Sequence, residues 1–353
     1  MARPPSKVNG MDRDVLNVTV VLLDDGYAST ALMPIEVFHS AGALWRELHG
    51  EEPEPRFRVT TASIGGGPVR SPYAGLRMSP ETALEAIERT DIAIIPTSGL
   101  CFNEKLIENS ALLPWLQQQH ANGAYLAGVC MGAAYLAEAG LLDGRRATTH
   151  WAIAPEFTER WPKVDWRPDM FVTEDARLLC SGGLTAAADV SLYLVEKLCG
   201  HEVAVQTAKA LLLTMPRTHQ SGYAVLPLSP THDDERVQEA ERYIQTNFRE
   251  TLTSEAIAGH VAMSPRTLLR RFKAATGRLP GAYLQAVRVE TAKAILESDD
   301  APIQQVASAV GYDDAAHFRE LFKRSTGMTP AEYRAHFAEL RVRQMEQAAL
   351  TKR

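Results

Sequence analysis

The chain has 353 residues, 45% of them hydrophobic and 23% charged, with a formal net charge of −6. That length exceeds one ordinary core and points to two domains, in a soluble globular composition without the run of about eighteen apolar residues that would span a membrane. The overall acidity excludes a uniformly basic protein, Met1–Gly10 lacks the apolar stretch of a secretory leader, and Cys101, Cys130, Cys180 and Cys199 are too scattered for a metal motif or a disulfide framework, so free thiols in a reducing cytoplasm are expected.

From Val15 to about Gly200, apolar runs alternate with helical windows. Leu16–Leu23, Phe57–Ala62, Asp91–Pro96 and Ala124–Val129 read as strands. Ala31–Leu48, Glu104–Gln119, Cys130–Ala139 and Val190–Met215 read as helices, and Asp143-Gly144 and Asp165–Asp169 as turns. Such alternation implies an α/β doubly wound, mostly parallel sheet covered on both faces, here over residues 11–216. Residues 217–232, with Pro227 and Pro230, read as a linker. From Asp233 to about 340 every window is helical.

Gly128-Val129-Cys130-Met131-Gly132 joins an apolar strand to a helix in the layout of a nucleophile elbow, which exposes its central side chain. A helix N-terminus behind Cys130 would favour the thiolate, and His150, in Thr148-Thr149-His150-Trp151, is a candidate base. The plainer alternative is a buried thiol acting as a small hydrophobe beside a satisfied core histidine.

The helical third is nearly neutral, with 18 Lys+Arg against 17 Asp+Glu from Thr231 onward, but Ala256–Val289 holds no acidic residue. It carries Arg266, Arg270, Arg271, Lys273, Arg278 and Arg288, a local basic face of the kind phosphate contact needs. The same third repeats. Ile257-Ala258 recurs as Val306-Ala307, Val261 as Val310, Phe272-Lys273 as Phe322-Lys323, Thr276-Gly277 as Thr326-Gly327, Pro280 as Pro330 and Tyr283 as Tyr333. Each copy reads as a helix-turn-helix. The first helix of copy one starts near Thr253, and Ser264-Pro265 supplies an N-cap followed by proline at the first helical position. Leu268 and Phe272 face inward while Arg266, Leu269, Arg270 and Lys273 face out. In copy two, Gly311-Tyr312 turns, Asp313-Asp314 caps, Phe318 and Phe322 face inward, and Ala315, Ala316 and Arg319 face out beside His317 and Lys323. The outward helices fit the major groove, where two units would read half-sites about 34 Å apart. The sequence thus predicts an all-α tandem helix-turn-helix domain over 233–340.

Val310-Gly311-Tyr312, His317-Phe318-Arg319, Phe322-Lys323 and Gly327–Arg334 together resemble the signature of AraC-type transcription regulators. The resemblance implies binding to double-stranded DNA, with Arg266, Leu269, Arg270, Lys273, Ala316, His317, Arg319 and Lys323 at or near the interface. Ala127–Trp151, with Met33–Phe38 and Ser181–Ala186, resembles the class I glutamine-amidotransferase-like superfamily, in the intracellular-protease-like branch. Catalytic members carry His directly after the cysteine; here that position is Met131. Where some relatives bring a Glu to the cysteine, this chain has Thr30. The resemblance therefore implies no catalysis, Cys130 and His150 surviving as vestiges, and neither cofactor nor metal. It implies an effector pocket at the carboxyl ends of the strands, formed by Asp24, Tyr27, Ser98, Gly99, Cys130, His150, Trp151, Ser181 and Gly182. Tyr27 and Trp151 are the expected aromatic walls for an amine, amino acid or betaine-type metabolite. The expected protein is a cytoplasmic, ligand-responsive activator, homodimeric through its α/β domain, meeting RNA polymerase and, when DNA-bound, the nucleoid. The alternatives are a bifunctional hydrolase or amidase acting through Cys130, and a thiol redox sensor.

Overall fold

Apolar runs that lack polar alternation are buried on both sides, and in this chain they form one sheet. The computed structural model describes residues 15–73, 75–99, 101–214, 220, 222, 223, 229 and 232–337. Among these, seven strands lie in the order Val172–Asp175, Leu178–Ser181, Tyr125–Val129, Ile92–Ile95, Leu16–Leu22, Phe57–Ser63 and Thr82–Ala83. All neighbours run parallel except the Val172–Asp175 edge, which pairs antiparallel with Leu178–Ser181. The centre is fully buried: Val20, Ile94 and Ala127 have no exposed surface. Helices cover the sheet, among them Ser29–Ser40, Leu112–Ala121 and Ala186–Cys199, whose apolar faces join the same core. This is the expected parallel α/β fold.

The helix windows break where the periodicity alone runs on. Ala31–Leu48 divides into Ser29–Ser40 and Leu44–Leu48, and Glu104–Gln119 into Phe102–Glu108 and Leu112–Ala121. Val190–Met215 is two helices, Ala186–Cys199 and His201–Ala210, parted at Gly200, whose φ of +92° no right-handed helix accepts. Met215 and Pro216 fall outside the described residues. Cys130–Ala139 begins as a 3-10 turn, Cys130–Gly132, before the helix Ala133–Glu138. Asp165–Trp166 is not merely a turn; it pairs in parallel with Arg146–Ala147.

The chain divides into two units at Gln220/Ser221. Of the segment read as linker, Gln220, Gly222, Tyr223, Ser229 and His232 are described, and the rest lies outside the described residues.

In the second unit the repeat is reproduced in three dimensions. Ser254–His260 and Pro265–Thr276 form the first helix-turn-helix, Ile303–Ala309 and Ala315–Thr326 the second. Phe272 meets Tyr283 edge-to-face at 5.3 Å, and Phe322 meets Tyr333 at 5.4 Å. Thr276 donates its hydroxyl to the Phe272 carbonyl at 2.7 Å, and Thr326 to that of Phe322 at 2.8 Å. Each second helix ends on a left-handed glycine, Gly277 or Gly327. The long helix Pro280–Ser298 serves both cores, giving Tyr283, Leu284 and Val287 to the first and Val289, Ala292 and Leu296 to the second.

The leading helix Glu235–Asn247 is capped by Asp234, whose carboxylate accepts the Val237 N–H and both a 2.8 Å and a 2.5 Å hydrogen bond from Arg271. The Arg271 guanidinium holds the Asp234 carboxyl below the usual carboxylate range. Because the folded state is the more acidic, this stabilisation is present above the unfolded carboxyl's pKa and fades as pH falls below about 4. Asp234→Ala should cost about 1 kcal/mol at pH 7 from the cap alone. Denaturant melts should show the deficit shrinking toward pH 3, and a deficit that stays constant with pH would rule the ion pair out.

Candidate functional site

Two consequences of the sequence converge on Cys130. The strand Tyr125–Val129 ends and the chain turns at once into a helix, which puts Cys130 at φ +55°, a strained position for a side chain. The flanking glycines are steric necessities. A Cβ on Gly132 would stand 2.1 Å from the Ile95 carbonyl oxygen, and one on Gly128 2.7 Å from the Ala133 nitrogen. The elbow geometry read from G-x-C-x-G is present.

Cys130 is only 5% exposed. Burial pushes the thiol pKa up and outweighs the opposing influence of the main-chain N–H groups of Met131 and His150. Desolvation thus works against the thiolate that the helix N-terminus was expected to favour. His150 reaches the sulfur through its main chain. Its Nδ1 accepts the Ala152 N–H at 3.1 Å, and burial lowers its pKa. A neutral ring accepting at Nδ1 carries its proton on Nε2, a hydrogen-bond donor. Met131, in the position of the expected histidine, is 1% exposed and belongs to the hydrophobic core. Thr30 is a satisfied hydroxyl, donating to the Tyr27 carbonyl at 2.6 Å and accepting the Thr97 N–H at 3.2 Å.

Around the elbow the predicted residues separate into two groups. Tyr27 donates its main-chain N–H to Thr97, and the Thr97 hydroxyl donates to the Val129 carbonyl at 3.0 Å. Thr149 donates its hydroxyl to the Cys130 carbonyl at 3.0 Å, and a Cβ on Gly183 would lie 3.6 Å from His150 Cδ2. Ser181 pairs with Val129 in the sheet and is fully buried, its hydroxyl without a partner among the described residues. Gly182 is buried and Gly99 half-buried.

Asp24 and Ser98 are committed elsewhere. Asp24 accepts the Arg70 N–H at 2.9 Å, fixing the hairpin of Val69–Arg70 and Arg77–Met78. Ser98 is 1% exposed, its hydroxyl bonded to Tyr135 at 2.6 Å. The aromatic pairing also differs from expectation. Tyr27 meets Tyr73, carried by that hairpin, edge-to-face at 5.2 Å. The hydrogen bond that Tyr73 donates to Tyr27 pushes the Tyr73 phenol up to about 12. Trp151 lies against His150 at 5.2 Å instead. Gln220, buried against Gly182 and Thr149, and the exposed Tyr73 beside Tyr27 are neighbours of the predicted residues that sequence reasoning missed. Neither stands in a motif or a periodic run that could have singled it out.

The helical unit presents a basic surface narrower than its composition. Arg271 is spent on Asp234. Arg288 donates to the Phe248 and Glu250 carbonyls at 2.7 and 2.9 Å and covers the Tyr312 ring at 4.9 Å. That leaves Arg266, Arg270 and Lys273 exposed, and Leu269 half-exposed, on Pro265–Thr276. On Ala315–Thr326, Ala316, His317, Arg319 and Lys323 are exposed. Ala315, expected to face out, is 5% exposed and packs in the core, in the cluster that also holds Tyr312 and Phe318. Arg319, Glu320, Lys323, Arg324 and Thr329 line a cleft of about 410 Å³.

A parallel α/β domain with a cysteine elbow, followed by two helix-turn-helix units with exposed arginines, defines an AraC-type DNA-binding transcription regulator. A helix-turn-helix domain model matches residues 257–336, and the DJ-1/PfpI family model matches residues 18–197. The chain belongs to the DJ-1/PfpI family. It is similar to the HTH-type transcriptional regulator CdhR of Pseudomonas aeruginosa, at 28% identity over 292 residues, covering 79% of this chain and 82% of that one. It is also similar to the HTH-type transcriptional regulator GbdR of the same species, at 26% identity over 325 residues, covering 92% and 85%. A solved structure of a candidate transcriptional regulator from Vibrio parahaemolyticus aligns at TM-score 0.50 and 21% identity, covering 56% of this chain and all of that one, which shows the fold of the α/β domain. No described helix is long and apolar enough to cross a membrane.

Proposed function

We propose that this chain is a ligand-responsive transcription activator whose α/β domain senses a small amine, amino acid or betaine-type metabolite without transforming it. The observation that carries this reading is the buried Cys130 thiol at an intact elbow, with core-packed Met131 in the position of the expected histidine. Such a site keeps the shape of an active centre and lacks its activated nucleophile. The Tyr27–Tyr73 pair supplies aromatic surface for a cation, and neutral His150 supplies a donor for a carboxylate. In the same reading two copies associate through the α/β domain and act in the cytoplasm on promoter DNA alongside RNA polymerase; a monomeric mass in sedimentation would remove the first element.

The test is ligand-dependent thermal shift of the full chain against a panel of amines, betaines and amino acids, with Cys130→Ala run in parallel. An effector at about 100 times its dissociation constant should add about 2.7 kcal/mol. The expected result is a hit recovered unchanged in mass and retained by Cys130→Ala. A hit that is consumed, with consumption abolished in Cys130→Ala, would replace the sensor by a hydrolase or amidase. Peroxide-dependent DNA binding that requires Cys130 would replace it by a redox sensor.

A further inference from the structure

We propose that Gln220 is a positioning residue that latches the connector to the elbow, so that occupancy of the effector site is transmitted along the chain through this one side chain. The ligand in this proposal rests on the sensor reading; the latch itself does not.

Gln220 stands in a segment of prolines and small polar residues, where exposure is the rule, yet it is 2% exposed. Its main-chain N–H donates to the Asp169 carbonyl at 2.8 Å. Its side-chain Nε2 donates to the Thr149 carbonyl at 2.7 Å and the Met170 carbonyl at 3.0 Å, and lies 3.3 Å from the Thr148 hydroxyl. Gly182 makes room for it: a Cβ there would stand 2.7 Å from Gln220 Oε1 and 2.8 Å from its Cδ. Beyond Thr149 the path is short. The Thr149 hydroxyl donates to the Cys130 carbonyl, and the next N–H, that of His150, bonds the Cys130 sulfur. Two hydrogen bonds thus separate the connector's amide from the main chain of the elbow.

A buried amide with its carbonyl partners is either seated or withdrawn, because a partial withdrawal leaves desolvated groups unpaired. That makes Gln220 a two-state element. A ligand that engages the Thr149–Trp151 segment with different affinity in the two states shifts the balance between them. Gln220 is also the last residue of the first unit. Seating therefore sets the point at which the connector begins.

Linkage is reciprocal, so the coupling is measurable from both ends in the full chain without a ligand. From the connector side, the probe is N-ethylmaleimide labelling of Cys130, read by peptide mass spectrometry. Gln220→Ala, and Gln220→Leu, which keeps the volume without the donors, should each raise the labelling rate about fivefold or more. From the site side, the readout is amide hydrogen exchange at residue 220. Thr149→Val should speed it by a similar factor, and Thr149→Ser, which keeps the hydroxyl, should restore the wild-type rate. A role confined to packing would not make the serine a rescue and the valine a loss. Labelling of Cys130 within about twofold of wild type in both Gln220 variants would overturn the latch, as would unchanged exchange in Thr149→Val. Failure of the ligand panel with these responses intact would remove the sensor reading and leave the latch.

Discussion

Gly132→Ala is expected to destabilise the α/β domain by about 3 kcal/mol or more, which for a domain of this size lowers its melting temperature by roughly 6–12 °C. The added methyl would occupy a point 2.1 Å from the Ile95 oxygen, 3.0 Å from the Ile95 carbonyl carbon and 3.1 Å from the Pro96 oxygen. All three are main-chain atoms, so no rotamer change relieves the overlap. The strand Ile92–Ile95 is held on both sides, by Leu16–Leu22 and by Tyr125–Val129. Its retreat would break two ladders, and retreat of the elbow would displace Cys130 from the carbonyl bond that Thr149 makes to it. Gly140→Ala is the control. Its φ of +71° also disfavours a side chain, but no atom lies within 4 Å of the new methyl, so only the backbone penalty of about 1–2 kcal/mol applies. The two variants are compared by thermal melting followed by circular dichroism in the far ultraviolet. Equal losses would show that the elbow yields where the structure has it rigid.

How far the chain was legible beforehand depends on the range of the interaction concerned. The strands were legible because burial on both faces leaves an unbroken apolar run, as in Ile92–Ile95. The helix-turn-helix units were legible because their caps are local: Ser264 accepts the Thr267 N–H three residues on, and Asp314 the Ala316 N–H two residues on. The repeat then supplied a second reading of the recurring core positions, such as Phe272 with Phe322 and Tyr283 with Tyr333. What failed was decided by partners distant in sequence. Arg271 looks like a DNA contact until Asp234, 37 residues away, claims it, and Arg288 until the Phe248 carbonyl, 40 residues away, does. Ser98 faces Tyr135, 37 residues on. The G-x-C-x-G spacing reveals the elbow but not the desolvation that raises the Cys130 pKa, since desolvation comes from the whole domain. Periodicity likewise carried the last helix across Gly200, because a glycine in a helical window does not announce the sign of its φ.

The second large effect concerns DNA. Arg266→Ala, Arg270→Ala and Arg319→Ala should each weaken specific binding by about 1–3 kcal/mol, roughly 5- to 150-fold, and relax selectivity at the base contacted. Exposed guanidinium groups with no internal partner among the described residues are available for bidentate reading, whereas Arg271 is not. Arg271→Ala should therefore lower stability and leave the salt dependence of binding unchanged. Lys273→Ala and Lys323→Ala should weaken all sequences alike and reduce the slope of log affinity against log salt by about 1 each. A duplex selected from a randomised library by the wild-type protein serves as the specific site, with fluorescence anisotropy as the readout across salt concentrations. The decisive arm combines the two units. Their cores are separate clusters joined through the Pro280–Ser298 helix, so free-energy losses in Arg266→Ala and Arg319→Ala should add in the double variant. Additive losses mean that one chain reads its site with both helices. A double variant no weaker than Arg266→Ala alone would assign the reading to the first unit and leave the second, for all its structural identity with the first, as a support.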